Sequence, residues 1–202
     1  MSVEALIGYR PRTDTEAADL DRIRTVLGSD DLGSDDLGSD DPWHRSTPLH
    51  LTASALILHP PTRRVLLRWH VRQQAWLQIG GHGDPGESDP LAIVLREGRE
   101  ETGLEDLVPW PDAALVHVVI VPVSAGRGGG VTSGAGAHEP AHEHADLRFV
   151  LATGNPDAAR PENPAAPLRW LPLDEAPAAT DEANLRETLT RVADLTARRA
   201  AP

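Results

Sequence analysis

Residues 80–104 read GGHGDPGESDPLAIVLREGREETGL, four glycines followed by a helical pattern that carries three glutamates on one face. No other stretch narrows the fold so far. Ser88 or Asp89 can cap a helix over residues 90–102, Pro90 suits its first turn and Gly103 can stop it. Within that helix Glu97, Glu100 and Glu101 stand at i, i+3 and i+4, so their carboxylates share a face near its C-terminal end. Like charges repel there, and the helix end adds a negative field. The cluster is unfavourable unless a cation compensates it, and Mg²⁺ binds through carboxylates together with substrate phosphates. Three glutamates alone would more simply make a solvated helix face. The glycines change the weighting, because Gly80, Gly81, Gly83 and Gly86 permit tight turns and close backbone approach to a ligand. Arg96 is placed to anchor the neighbouring carboxylates or the loop ahead of the helix.

Around this segment the chain alternates strand and helix patterns. Residues 50–58 (HLTASALIL) read as a buried strand, 59–64 as a turn and 65–70 as its hairpin partner. Residues 75–79 form a third extended segment running into Gly80. Residues 115–123 are a β-branched strand, 124–144 a long loop, 145–153 an alternating strand and 167–173 a short one. Leu185, Leu189, Val192 and Leu195 mark a helix over 181–199, and Leu20, Ile23 and Leu27 another over 15–27. These patterns predict an α/β (α+β) fold, a mixed β-sheet with helices packed on it, flanked by a mobile N-terminal arm. The domain boundary is expected between residues 1–47, a helix plus acidic linker, and 48–202.

That linker repeats GSDD three times over residues 28–41. Its Asp pairs lack the alternation of a calcium loop and no bidentate Glu follows, so a solvated acidic segment is expected. The formal net charge of -12 disfavours nucleic acid as a partner, because no basic run offsets it. No apolar run reaches the roughly 20 residues of a membrane span. There is no cysteine, which excludes disulfides, thiolate metal sites and cysteine nucleophiles. Residues 1–12 show no basic start and apolar core, so a cytoplasmic location is expected.

The 80–104 segment resembles the Nudix box, G-x5-E-x7-R-E-U-x-E-E-x-G-U with U a bulky aliphatic. Gly81 and Glu87 match, as do Arg96-Glu97, Glu100-Glu101, Gly103 and Leu104 in mutual spacing. There are two departures. Eight residues separate Glu87 from Arg96 where the pattern has seven, and the first aliphatic position is Gly98, at a cost of roughly 1 kcal/mol of helix propensity and an unfilled core position. The strand patterns before the box and RWLPLDEA (169–176) extend the resemblance over roughly residues 48–198.

The resemblance implies Mg²⁺- or Mn²⁺-dependent hydrolysis of a pyrophosphate bond in a small phosphorylated metabolite, such as a nucleoside diphosphate linked to another moiety. Glu97, Glu100 and Glu101 would be metal ligands and catalytic residues, with Arg96 as their structural partner. Glu87 would orient the site or bind a second metal, and Gly80 or Gly81 would offer a carbonyl. Family members often take another acidic ligand from outside the box, for which Glu139 and Glu143 are candidates. His142 and His144 are candidates to touch phosphate or transfer protons, sharing a face if the strand starts early. An independent zinc site on these histidines is not expected. His82 and Arg68 are candidates for substrate contact, set against a plain turn residue and an exposed strand-end arginine. Trp76, like Trp69, is a candidate to stack on a base, set against core packing.

Three rival functions are weaker. Diphosphate isomerisation on this fold uses a cysteine, which is missing. A non-catalytic metabolite-sensing domain often loses box carboxylates, which are kept. RNA decapping is disfavoured by the acidic balance. A homodimer is left open.

Overall fold

The computed structural model describes residue 6 and residues 8–28, 41–127 and 138–200. The acidic-linker reading of the GSDD repeats and the Glu139 side chain lie outside the described residues.

Ten strands and three α-helices are present among the described residues. The helices are α1 (Asp14–Gly28), α2 (Pro90–Thr102) and α3 (Ala183–Ala200). The strands are β1 (Leu49–His59), β2 (Arg64–His70), β3 (Ala75–Leu77), β4 (Ile79–Gly81), β5 (Val108–Pro109), β6 (His117–Val123), β7 (Gly126–Arg127), β8 (His138–Glu139), β9 (His142–Ala152) and β10 (Leu168–Pro172). Eight strands form one mixed sheet with the path β10-β2-β1-β9-β5, to which β3, β4 and β6 attach through β2, β1 and β9. The expected hairpin is present, with Ile57 opposite Leu66. At the centre β1 and β9 run parallel over ten paired positions, from Leu49 with Glu143 to Leu58 with Ala152. A central parallel pair is covered on both faces, which accounts for the apolar content of both strands.

That pairing corrects one boundary. The strand expected from residue 145 begins at His142, because the start of β1 supplies a partner that no local pattern reveals. Part of the expected 124–144 loop is likewise a two-stranded ribbon, β7 with β8.

Helices cover both faces. Odd-numbered positions of β1 and β9, Leu51, Ala53, Ile57, Leu147, Phe149 and Leu151, share a buried cluster with Leu20 and Ile23 of α1 and Ile93 and Val94 of α2. Even positions Leu56, Leu58 and Val150 cluster with Leu185, Leu189 and Val192 of α3. Burying Leu20 and Ile23 contributes about 1.5–3 kcal/mol each, so α1 shares the domain's core rather than lying in a mobile arm. Its carboxylates also serve the β6 edge, where Asp19 accepts from the Ile120 N–H at 3.0 Å and Glu16 from the Val118 N–H at 3.4 Å. Among the described residues no helix is long and apolar enough to cross a membrane.

Two glycines are required by close approach. Gly80 has φ +139°, and a Cβ there would lie 2.4 Å from the Ala53 carbonyl oxygen. At Gly98 a Cβ would lie 2.7 Å from a methyl of Leu107. The core position expected to stand empty is therefore occupied by Leu107, with Leu151 and Ile57 beyond it.

Candidate active site

The sequence signals for α2 act as expected. Asp89 caps it by accepting from the Leu91 N–H, Pro90 occupies its first turn, and Gly103 closes it at φ 65°. The helix end then lies against β4, so that a Cβ on Gly81 would be 3.0 Å from the Glu97 carboxylate.

Arg96 organises the loop–helix junction. Its guanidinium contacts Glu87 at 2.8 Å, Glu97 at 3.0 Å and Glu100 at 2.9 Å, and donates to the His82 carbonyl at 3.0 Å. Glu87 also accepts from the Asp84 N–H at 2.8 Å. These bonds hold the Glu87 carboxyl below its ordinary pKa. The extra residue between Glu87 and Arg96 thus leaves their contact intact. Glu101 faces the other way, with Arg68 at 2.8 Å and the Gly80 N–H at 3.2 Å.

Burial raises the pKa of Glu97, and it pushes Glu101 up to about 7 against the opposing pull of Arg68 and the Gly80 N–H. Loss of water, which the two nearby arginines do not offset, thus disfavours the charged form of both carboxyls where α2 meets β4.

Beside this cluster lies a cavity of about 220 Å³. Arg68, Gly80, Gly81, His82 and His144, all candidates from the sequence, line it. The sequence reading missed its polar floor. Asp146 accepts from Ser54 at 2.8 Å, Thr52 at 3.2 Å, Gln78 at 3.2 Å and Arg148 at 2.8 Å. Arg148 in turn donates to Asn184 and Thr188 of α3. The available signal was period-two alternation: Thr52 and Ser54 on β1, and His144, Asp146 and Arg148 on β9, are even positions facing α3.

The box side chains Glu87, Arg96, Glu97, Glu100 and Glu101 stand outside the cavity lining, and so do Trp76, His142 and Glu143. Trp76 packs edge-to-face on Trp69, lies beside the α3-side core and takes the Arg169 guanidinium on its ring. Glu143 is ion-paired to Arg22 of α1 at 2.5 Å. Strand alternation gives the reason, since His142 and His144 share the opposite face. His142 lies behind His144, with their Nε2 atoms 3.0 Å apart.

The family model for the NUDIX domain matches residues 48–192. The chain belongs to the Nudix family. As a Nudix protein it is a hydrolase acting on phosphorus-containing acid anhydrides. Three solved structures share the fold. An E. coli dihydroneopterin triphosphate pyrophosphohydrolase aligns with TM-score 0.51 at 18% identity, covering 70% of this chain and 92% of that one. A C. elegans Ap4A hydrolase gives 0.50 at 19%, covering 72% and 96%. A Nudix-family hydrolase from Clostridium perfringens gives 0.50 at 21%, covering 72% and 97%. No curated protein matches the chain.

Nudix hydrolases use divalent metal. The carboxylates at the end of α2 are oxygen donors of the chemistry such a metal takes, but they are divided in this structure: Glu97 and Glu100 meet on Arg96 while Glu101 meets Arg68 and the Gly80 N–H, so a metal held by all three would need them to turn toward one another.

Proposed function

We propose that this Nudix protein hydrolyses a pyrophosphate bond in a nucleoside diphosphate linked to another moiety, with Mg²⁺ or Mn²⁺ held by Glu97, Glu100 and Glu101. The observation that carries the reading is the placing of half-buried Glu97 and buried Glu101 beside the Gly80–Gly81 backbone, where burial raises the pKa of both. A group that stays partly protonated near neutrality is short of positive charge, and a bound divalent cation supplies it. The metal, when bound, neutralises diphosphate oxygens and lowers the pKa of an attacking water.

The chain's own groups supply the rest. Arg96 fixes Glu97 and Glu100 and, through the His82 carbonyl, the loop between β4 and α2. Arg68, half shielded between Glu101 and the cavity, places positive charge where phosphate would enter. A carboxylate of the Glu97, Glu100 and Glu101 set not engaged by metal would accept the proton of the attacking water. The Asp146–Arg148 floor presents hydrogen-bonding groups to the remainder of a polar substrate. Two of the fold relatives are named as a dihydroneopterin triphosphate pyrophosphohydrolase and an Ap4A hydrolase, which supports a small polyphosphorylated substrate.

The test is a Mg²⁺-dependent screen of nucleoside triphosphates, nucleotide sugars and dinucleotides, run beside Glu100→Gln. Release of nucleotide that depends on Mg²⁺ and is lost in the variant is the expected result. Release that survives the substitution would remove these glutamates from the chemistry, and binding without turnover would favour a metabolite sensor.

A further inference from the structure

We propose that His50, His142 and His144, joined by His82, form a second metal site that takes a borderline divalent cation of the Zn²⁺ type. It is separate in chemistry from the glutamates and does not depend on their role.

Topology assembles the cluster. His50 and His144 are paired neighbours on the parallel strands β1 and β9, and His142 lies two residues earlier on the same face of β9. His82 arrives from the loop after β4. The ring centroids of His50 lie 5.1 Å from His82, 5.2 Å from His142 and 4.9 Å from His144. Ligand atoms of His50, His142 and His144 all lie within 4.8 Å of one another, and this is the one such set of three among the described residues.

The nitrogens are nearly at coordination spacing. His50 Nε2 is 3.0 Å from His82 Nε2, and His142 Nε2 is 3.0 Å from His144 Nε2. Two nitrogens on a tetrahedral zinc with bonds of 2.0–2.1 Å stand roughly 3.3 Å apart. Each pair would open slightly to reach that spacing, His50, His142 and His144 would draw together from separations of up to 4.8 Å, and His82 would follow beside His50.

Outer hydrogen bonds set the tautomers. The Nδ1–H of His50 donates to the Thr47 carbonyl at 2.7 Å, and that of His142 to the Pro140 carbonyl at 2.9 Å. A carbonyl accepts only, so in both neutral rings the basic nitrogen is Nε2, the atom turned toward the cluster. Metal-ligating histidines are oriented by the same kind of bond. Imidazole donors select zinc, nickel or copper, whereas the all-oxygen set on α2 selects magnesium or manganese.

Occupancy would have a consequence for the neighbouring site. His82 is the residue whose carbonyl accepts from Arg96, and both His82 and His144 line the cavity. A metal there would tie the loop between β4 and α2 to the centre of the sheet.

The experiment uses full-length protein without a histidine tag, stripped by chelator and titrated with Co²⁺ in excess Mg²⁺. One equivalent with the intense visible absorption of four-coordinate cobalt, displaced by Zn²⁺, is expected. His142→Asn and His144→Asn should each weaken Zn²⁺ binding at least about 100-fold, and Glu100→Gln should change it less than about twofold. Mg²⁺-dependent turnover in Glu100→Gln reports separately on the glutamates. In wild-type protein, Zn²⁺ should shield these four histidines from diethylpyrocarbonate, a readout that needs no variant to fold. Absence of the cobalt band, binding indifferent to both histidine substitutions, or protection mapping elsewhere would each overturn the proposal.

Discussion

Two buried glutamates in this protein have opposite fates. Glu16 on α1 accepts from Tyr9, from the Arg12 N–H at 2.5 Å and from two nitrogens of Arg191 at 2.6 and 3.0 Å. Burial opposes its ionisation, but those bonds outweigh burial and bring the pKa down to about 2. Glu101 on α2 has one arginine and one backbone N–H, and burial carries it up to about 7. Both residues are largely inaccessible to solvent, at 2% and 8% exposure. Glu101 is the more deeply surrounded by protein and has fewer donors, and the two differences act in the same direction. A saturated carboxylate pins α1 to α3, whereas an under-saturated one is ready for a cation or a proton.

The largest expected effect tests the saturated side. Glu16→Ala leaves Arg191, itself 1% exposed, without its main counter-charge. It should cost about 3–5 kcal/mol of folding stability in urea unfolding. A loss under 1 kcal/mol would mean that water reaches Arg191 and the pair is not a structural pin. On the other side, Glu101→Gln should lower Mg²⁺-dependent turnover about 100- to 1000-fold, comparable to loss of one group that stabilises transition-state charge. It should not lower metal-free stability at pH 8 to the extent that Glu16→Ala does.

The pH dependence of folding sharpens the contrast because the two signs differ. Glu16 is depressed below the ordinary 4.5, so its stabilisation is complete above pH 4.5 and fades as pH falls through 2. Glu101 is raised, so the folded state holds a proton that the unfolded state has lost between pH 4.5 and 7, and stability falls as pH rises through that window. Metal-free wild type should lose about 1–3 kcal/mol relative to Glu101→Gln between pH 4.5 and 8. Parallel curves for the two proteins would show that Glu101 ionises normally. A smaller effect concerns α2 itself. Gly98→Ala gains helix propensity but drives a Cβ into Leu107, for a net cost of about 1 kcal/mol by thermal unfolding. The smallest belongs to the GSDD repeats. Replacing their aspartates with asparagine should change turnover by less than about twofold, as the linker reading of this acidic segment predicts.

What could be read in advance follows the range of the interactions. The limits of α2 were legible because Asp89, Pro90 and Gly103 act within one turn of where they stand. Arg96 with Glu97 and Glu100 was legible for the same reason, since helical spacing brings them together, whereas the pairing of Glu101 with Arg68 of β2 was not. The partners of Glu16 and Glu143 were not. Arg191 is 175 positions from Glu16, and Arg22 is 121 from Glu143, so only the folded chain pairs them. Trp76 stayed open between two readings because stacking on substrate and packing on Trp69 leave the same mark in a sequence. The Asp146 floor and the four-histidine cluster are an intermediate case. Alternation along each strand was visible, but the parallel register of β1 with β9 superimposes the two polar stripes, and register is a tertiary fact.

The most direct measurement is the titration of Glu101 by carboxyl-selective NMR with and without Mg²⁺. Metal-free protein should show a carboxyl titrating near 7 that Glu101→Gln removes, and saturating Mg²⁺ should bring it below about 5 as the cation replaces the proton. A Glu101 pKa that ignores Mg²⁺ while the enzyme remains Mg²⁺-dependent would contradict the proposed metal site.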